Sequence, residues 1–201
     1  MLHFNGSPVC AVDVRYTGVF TPVSEVLELA ISNTDAHFKP CAPYLHIKVI
    51  PQYSDYVDVK SVELARYTTF GLSQTLAEDA VYNWYDKTLA PKYRSKGFSR
   101  IKITPLFYNA PPAISALKSF LTGYDEIFTD TPRDLYIAAQ TINDITGYWG
   151  GKVPYSKQTL KWLANQSNVS TENMIDCMQR CFVIAESYQK LMYLLRGGVT
   201  M

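Results

Sequence analysis

Few residues have the type and spacing for chemistry. His37, Cys41 and His46, with Cys10 as a fourth, could offer nitrogen and sulfur ligands to zinc from one strand and one loop. Their spacing matches no zinc knuckle, and Pro40 and Pro43 make the segment read as a stiff connection carrying a half-buried thiol. Cys177 and Cys181 stand one helical turn apart, a spacing open to a metal or a redox pair, but Cys181 falls on an apolar seam and is expected to pack in the core. Asp125, Glu126, Asp130 and Asp134 gather carboxylates suited to a hard cation or to acid–base work. Asp130 and Asp134 also flank a helix start, where the dipole favours negative charge, and that role suffices. No phosphate loop is present, because Gly150-Gly151-Lys152 lacks the loop spacing and Val153-Pro154 follows where a hydroxyl is needed. No nucleophile elbow is present either, since Gly71-Leu72-Ser73-Gln74-Thr75 lacks the second glycine. The sequence thus predicts no catalytic residue, no metal and no cofactor.

Residues 87–102 are different. Lys87, Lys92, Arg94, Lys96, Arg100 and Lys102 stand there without an acid among them, interleaved with Tyr93 and Phe98. Cations neutralise phosphates and aromatic faces stack on unpaired bases, so this is the composition of a single-strand binding strip. Within it, Lys96-Gly97-Phe98-Ser99-Arg100-Ile101-Lys102-Ile103 starts like the RNP1 pattern of RNA-recognition motifs, with Arg100 and Ile103 where stacking aromatics would stand. Segment 160–178 resembles a helix-turn-helix signature: Ala164 at a helix crossing, Asn168 at the turn, then Val169, Met174 and Cys177. Ser167 and the acidic pair Glu172 and Asp176 depart from that pattern, and a helix-packing role is expected over DNA reading.

These residues need elements to position them. Cys10, Val12, Val14 and Tyr16 alternate with Asp13, Arg15 and Thr17, the pattern of a strand buried on one face. Thr21 and Pro22 resemble an N-cap and first helical position for Val23, Val26, Leu27, Ala30 and Ile31, although Leu27, Leu29 and Ile31 also suit a strand. After a loop from Asn33 to Pro43, Leu45, Ile47 and Val49 alternate as a strand; Val57 and Val59, then Val62 and Leu64, continue with a parity switch. A helix with Leu76, Ala80 and Trp84 is expected to stop at Pro91, and Ile101 and Ile103 mark a strand stopped by Pro105. The predicted fold is α+β: an N-terminal antiparallel sheet in βαββαβ, ferredoxin-like order over 1–109, one face free, followed by a C-terminal helical bundle over 110–201 packed on it. In that bundle Thr131 and Pro132 start a helix ending at Gly147, Ser156 caps a short one, and a long one runs from about Thr171 to Arg196.

Lys and Arg number 19 against 18 Asp and Glu, so no whole-molecule field draws nucleic acid or anionic lipid. Hydrophobic residues make up 47% and charged ones 18%, which excludes disorder and charged tails. Four scattered cysteines argue for a reducing compartment. No apolar run approaches the roughly 20 residues of a membrane span, and no signal peptide is visible, so a cytoplasmic or intra-particle chain is expected, neither secreted nor membrane-bound. Sparse charge and the long two-faced final helix, with Met178, Tyr188, Met192 and Leu195 on its apolar seam, suggest a surface covered by other protein subunits. The leading expectation is a non-enzymatic structural or assembly subunit, such as a viral or phage particle component. It would form a homo-oligomer in which the basic strip meets Asp125, Glu126 and Asp130 of a neighbour. The alternative is a nucleic-acid-binding protein using the strip 87–102, the segment 160–178, or both.

Overall fold

The alternation over residues 10–16 forms β1 (Val9–Tyr16) in the computed structural model, which describes residues 7–17, 25–52, 61–94, 101–157 and 159–196. The expected helix after it is instead β2 (Val26–Thr34), while Thr21 and Pro22 lie outside the described residues. Every residue of β2 is buried, so both its parities are apolar or paired, and such a run carries no period-2 signal to separate it from a helix. The expected loop shrinks to a hairpin turn. Asp35 Oδ1 accepts the amides of His37 at 2.7 Å and Lys39 at 2.9 Å, Phe38 takes φ 62°, and β3 (Pro40–Lys48) returns alongside β2.

Val57 and Val59 lie outside the described residues, and Val62 and Leu64 sit on a helix, α1 (Ser61–Phe70), rather than a strand. Ser73 caps α2 (Gln74–Trp84), which passes through one π turn (Tyr85–Leu89) into α3 (Ala90–Arg94). Pro91 therefore does not end the helix; it lies just past the π turn, within a helix that continues to Arg94. β4 (Thr104–Phe107) contains Pro105 instead of stopping at it. Then come α4 (Ala110–Phe120), α5 (Tyr124–Ile127), the two-residue β5 (Arg133–Asp134), α6 (Leu135–Tyr148), α7 (Leu160–Gln166) and α8 (Cys177–Arg196). Their caps are Asp134 for α6 and Thr159 for α7, not Thr131 and Ser156.

The strands order as β3-β2-β1-β4-β5. β2 is antiparallel to β1 and β3, β4 is parallel to β1, and β5 is parallel to β4. This mixed sheet replaces the ferredoxin-like order. The free sheet face is also corrected, because helices cover both faces. On one side Val12, Leu29 and Ile31 meet Val81 and Trp84 of α2 and Leu117 and Phe120 of α4. On the other, Val9 and Leu106 meet Leu135 and Ile142 of α6, Leu163 of α7, and Ile184 and Leu191 of α8. Ala11 and Ala30 lie under Cys177, Cys181 and Ala185, and these small side chains let α8 cross the middle of the sheet. Through Leu191 the helix predicted to need a neighbouring subunit is buried within its own fold, while Tyr193, Leu194 and Leu195 at its end are exposed.

Candidate functional site

The chain leaves β1 toward β2 on one side, while β4 pairs with β1 on the other. Strand order reverses there, and a crevice opens at the carboxyl ends of the parallel pair, the place where open α/β sheets hold ligands. Asp13, Tyr16 and their neighbours on β1 form one wall, Phe107, Tyr108 and Asn109 the second, Pro112 and Ala113 of α4 the third, and Arg180 of α8 closes it. Asn109, with φ 127°, makes the sharp turn from β4 into α4. Asp134 fixes that turn: its Oδ2 accepts the Ala110 amide at 2.7 Å while its Oδ1 caps α6 by accepting the Tyr136 amide at 2.8 Å. Pro111 and Pro112 follow without an N–H, so the first turn of α4 offers the crevice no free amide from residues 110–112.

Asp13 and Arg15 project to the face that α8 covers. Arg180 Nε donates to Asp13 Oδ2 at 2.7 Å, and Asp13 is only 7% exposed. Arg15 Nη1 lies 3.6 Å from Glu28 Oε2 and its Nη2 donates to the Ile175 carbonyl at 2.5 Å. Glu28 Oε1 receives His46 Nε2 at 2.7 Å and the Cys177 amide at 3.1 Å, and Tyr67 Oη lies 3.4 Å from Oε2. Burial would raise the Glu28 carboxyl, but the bonds from His46 and Cys177 and the charge of Arg15 outweigh it and hold it below its ordinary range. These contacts fasten the start of α8 beside the crevice. Glu28, His46 and Asp176 bring ligand atoms within 4.8 Å of one another. Both Glu28 oxygens already accept protein donors, so the cluster is a hydrogen-bonded hub.

The sequence-predicted metal ligands do not converge. Cys10 and Cys41 meet only around Asn33, at 3.8 and 3.4 Å, His37 is exposed in the hairpin turn, and His46 is held by Glu28. Cys177 and Cys181 are buried free thiols. In the basic strip, Lys87, Lys92, Arg94 and Lys102 are exposed, whereas Lys96, Phe98 and Arg100 lie outside the described residues. Tyr93 is a correction: it is 4% exposed, its hydroxyl donates to Asn33 at 2.9 Å, and burial pushes its phenol up to about 12. Asp125, Glu126 and Asp130 are exposed, with Asp125 3.6 Å from Lys118. Met178 packs beside Cys181, Met192 borders the α6–α8 core, Tyr188 is buried with its ring against Phe38, and Leu195 is exposed. The helix-turn-helix reading of 160–178 is corrected as well. Asn168 does turn the chain, at φ 54°, but residues 171–176 form turns, and the face of α8 that follows is buried on the sheet. Asp13 and Arg180 were missed; the only signal in the sequence was a charge on a strand parity assigned to solvent.

No family model and no curated protein matches the sequence. Solved structures do. Exonuclease I of E. coli in complex with a dT13 oligonucleotide superposes with a TM-score of 0.63 at 13% identity, over 95% of this chain and 43% of that one. The exonuclease I of Methylocaldum szegediense gives 0.60 at 9% identity, over 93% and 40%. The nuclease domain of 3'hExo, a DEDDh family member bound to rAMP, gives 0.59 at 11% identity, over 96% and 93%. The chain thus spans less than half the length of the exonuclease I chains and nearly all of the 3'hExo nuclease domain. These neighbours are nucleases, which overturns the expectation of a non-enzymatic structural or assembly subunit or virion component. Nor does the fold support the expected homo-oligomer, and among the described residues no helix is long and apolar enough to cross a membrane. What the chain shares with these exonucleases, at such low identity, is their fold.

Proposed function

We propose that the chain binds single-stranded nucleic acid in the crevice between β1 and β4. The observation that carries this reading is the pairing, at the topological switch point, of two half-buried tyrosines, Tyr16 and Tyr108, with the Arg180 guanidinium. Aromatic faces stack on unpaired bases and a guanidinium holds the phosphate between them, which together make up the minimal single-strand site. The fold supports it, since one structural neighbour is named in complex with an oligonucleotide and another bound to a nucleotide. Outside the crevice, the exposed Lys87, Arg94 and Lys102 remain candidates for phosphate contact farther along a strand.

The test is a fluorescence anisotropy titration of a labelled single-stranded oligonucleotide. Each of Tyr16→Ala and Tyr108→Ala is expected to weaken binding by about 1–3 kcal/mol, the range for a lost base stack, with duplex of the same sequence binding less tightly. Binding unchanged by both substitutions overturns the reading.

A further inference from the structure

One structural neighbour is a zinc-bound exonuclease I–single-stranded DNA complex, so the fold raises the question of a metal in this crevice. Nuclease sites that work through paired cations gather several carboxylates around one point. Among the described residues Asp13 is the only carboxylate lining the crevice, and its Oδ2 is already engaged by Arg180 Nε at 2.7 Å. The other described positions on its walls are apolar, aromatic or amide, with Ala113 and Pro112 where α4 faces it. A guanidinium at that point repels a divalent cation and attracts a phosphate. These residues do not fit a cation pair, and no step through a metal is derived from them.

We propose that this crevice takes a nucleic-acid phosphate on the Arg180 guanidinium itself, without a divalent cation; the inference rests on the nucleic-acid reading of the same crevice. Arg180 Nε donates to Asp13, and its two Nη groups donate to no described residue. Those two groups carry four of the five guanidinium N–H donors, in the fork that matches two phosphate oxygens. The side chain is 29% exposed, open enough to meet a ligand and held enough to be pre-oriented. Asp13 has two opposed effects here. It fixes the guanidinium by one hydrogen bond, and its negative charge also competes with an incoming phosphate for the same cation.

This competition makes the pair separable by experiment. Anisotropy titrations of a labelled single-stranded oligonucleotide with the full chain are run in EDTA and again in Mg2+, for the wild type, Arg180→Gln, Arg180→Lys and Asp13→Asn. The proposal expects wild-type binding in EDTA at least as tight as in Mg2+, since the added cation competes for phosphate. It expects a loss of about tenfold or more for Arg180→Gln, the size of a lost charge-assisted bond. It also expects a smaller loss for Arg180→Lys, which keeps the charge without the fork, and tighter binding for Asp13→Asn. Should Arg180→Gln fail to fold, as judged by its thermal melt, Arg180→Lys and Asp13→Asn still decide by their opposite signs. Wild-type binding that vanishes in EDTA and returns with Mg2+ overturns the inference and leaves the nucleic-acid reading standing. Equal weakening by Asp13→Asn and the Arg180 variants also overturns it, because the pair would then be structural alone. No wild-type binding in either buffer overturns both.

Discussion

Glu28 has 1% exposure and four protein donors around it, including the positively charged Arg15. Removing one partner from such a buried arrangement leaves the others unpaired, which costs about 3 kcal/mol or more. Glu28→Gln is therefore expected to lower the stability measured by urea unfolding at pH 7 by about that amount. The folded-state carboxyl is held below the ordinary value, so its contribution is full above that value and fades as the pH falls through the folded one. The gap between wild type and Glu28→Gln should accordingly narrow on going from pH 7 into the acid range below 4.5, the ordinary glutamate value. A gap that stays constant with pH would mean that the carboxylate charge contributes nothing. None of these partners could be read from sequence. Cys177 is 149 positions from Glu28, and Arg180 is 167 from Asp13. Alternation showed that Asp13 and Arg15 share a face, but it could not show that a helix from the far end of the chain would cover that face.

Among the elements, legibility followed the clarity of the hydrophobic period. β1 has one apolar parity and one mixed parity, and its strand pattern is plain in the sequence. β2 is buried on both faces, which removes the alternation and left the helical spacing of Val26, Leu27, Ala30 and Ile31 as a competing pattern. β4 and β5 hold four and two residues, too short for any period, yet they supply the parallel partner that creates the crevice. Asp134 belongs at this scale because it ties two helix starts together. Its Oδ1 caps α6 and its Oδ2 holds the first amide of α4. Asp134→Ala removes both bonds and is expected to cost about 2 kcal/mol in thermal or urea unfolding, the upper end for a lost cap. Asp134→Asn, which keeps an acceptor for the cap, should lose less. Equal stability of Asp134→Ala and the wild type would show that neither bond contributes.

For the whole molecule, near-neutral charge and a low charged fraction mean that no net field draws a polyanion to the surface at large. The inference from greasiness to subunit contacts failed, because a five-stranded sheet with helices on both faces has room to bury the final helix internally. With 19 cations against 18 acids, attraction to nucleic acid must be local, at the crevice with Arg180, at the exposed cations of 87–102, or at both. These places lie on different elements and fall in different peptides. Photo-crosslinking of a single-stranded oligonucleotide carrying 4-thiothymidine, followed by mass spectrometry of the crosslinked peptides, reads which one is occupied. The account predicts crosslinks at Tyr16 and within Phe107–Ala113. Crosslinks confined to 87–102, with none on the crevice walls, would contradict it.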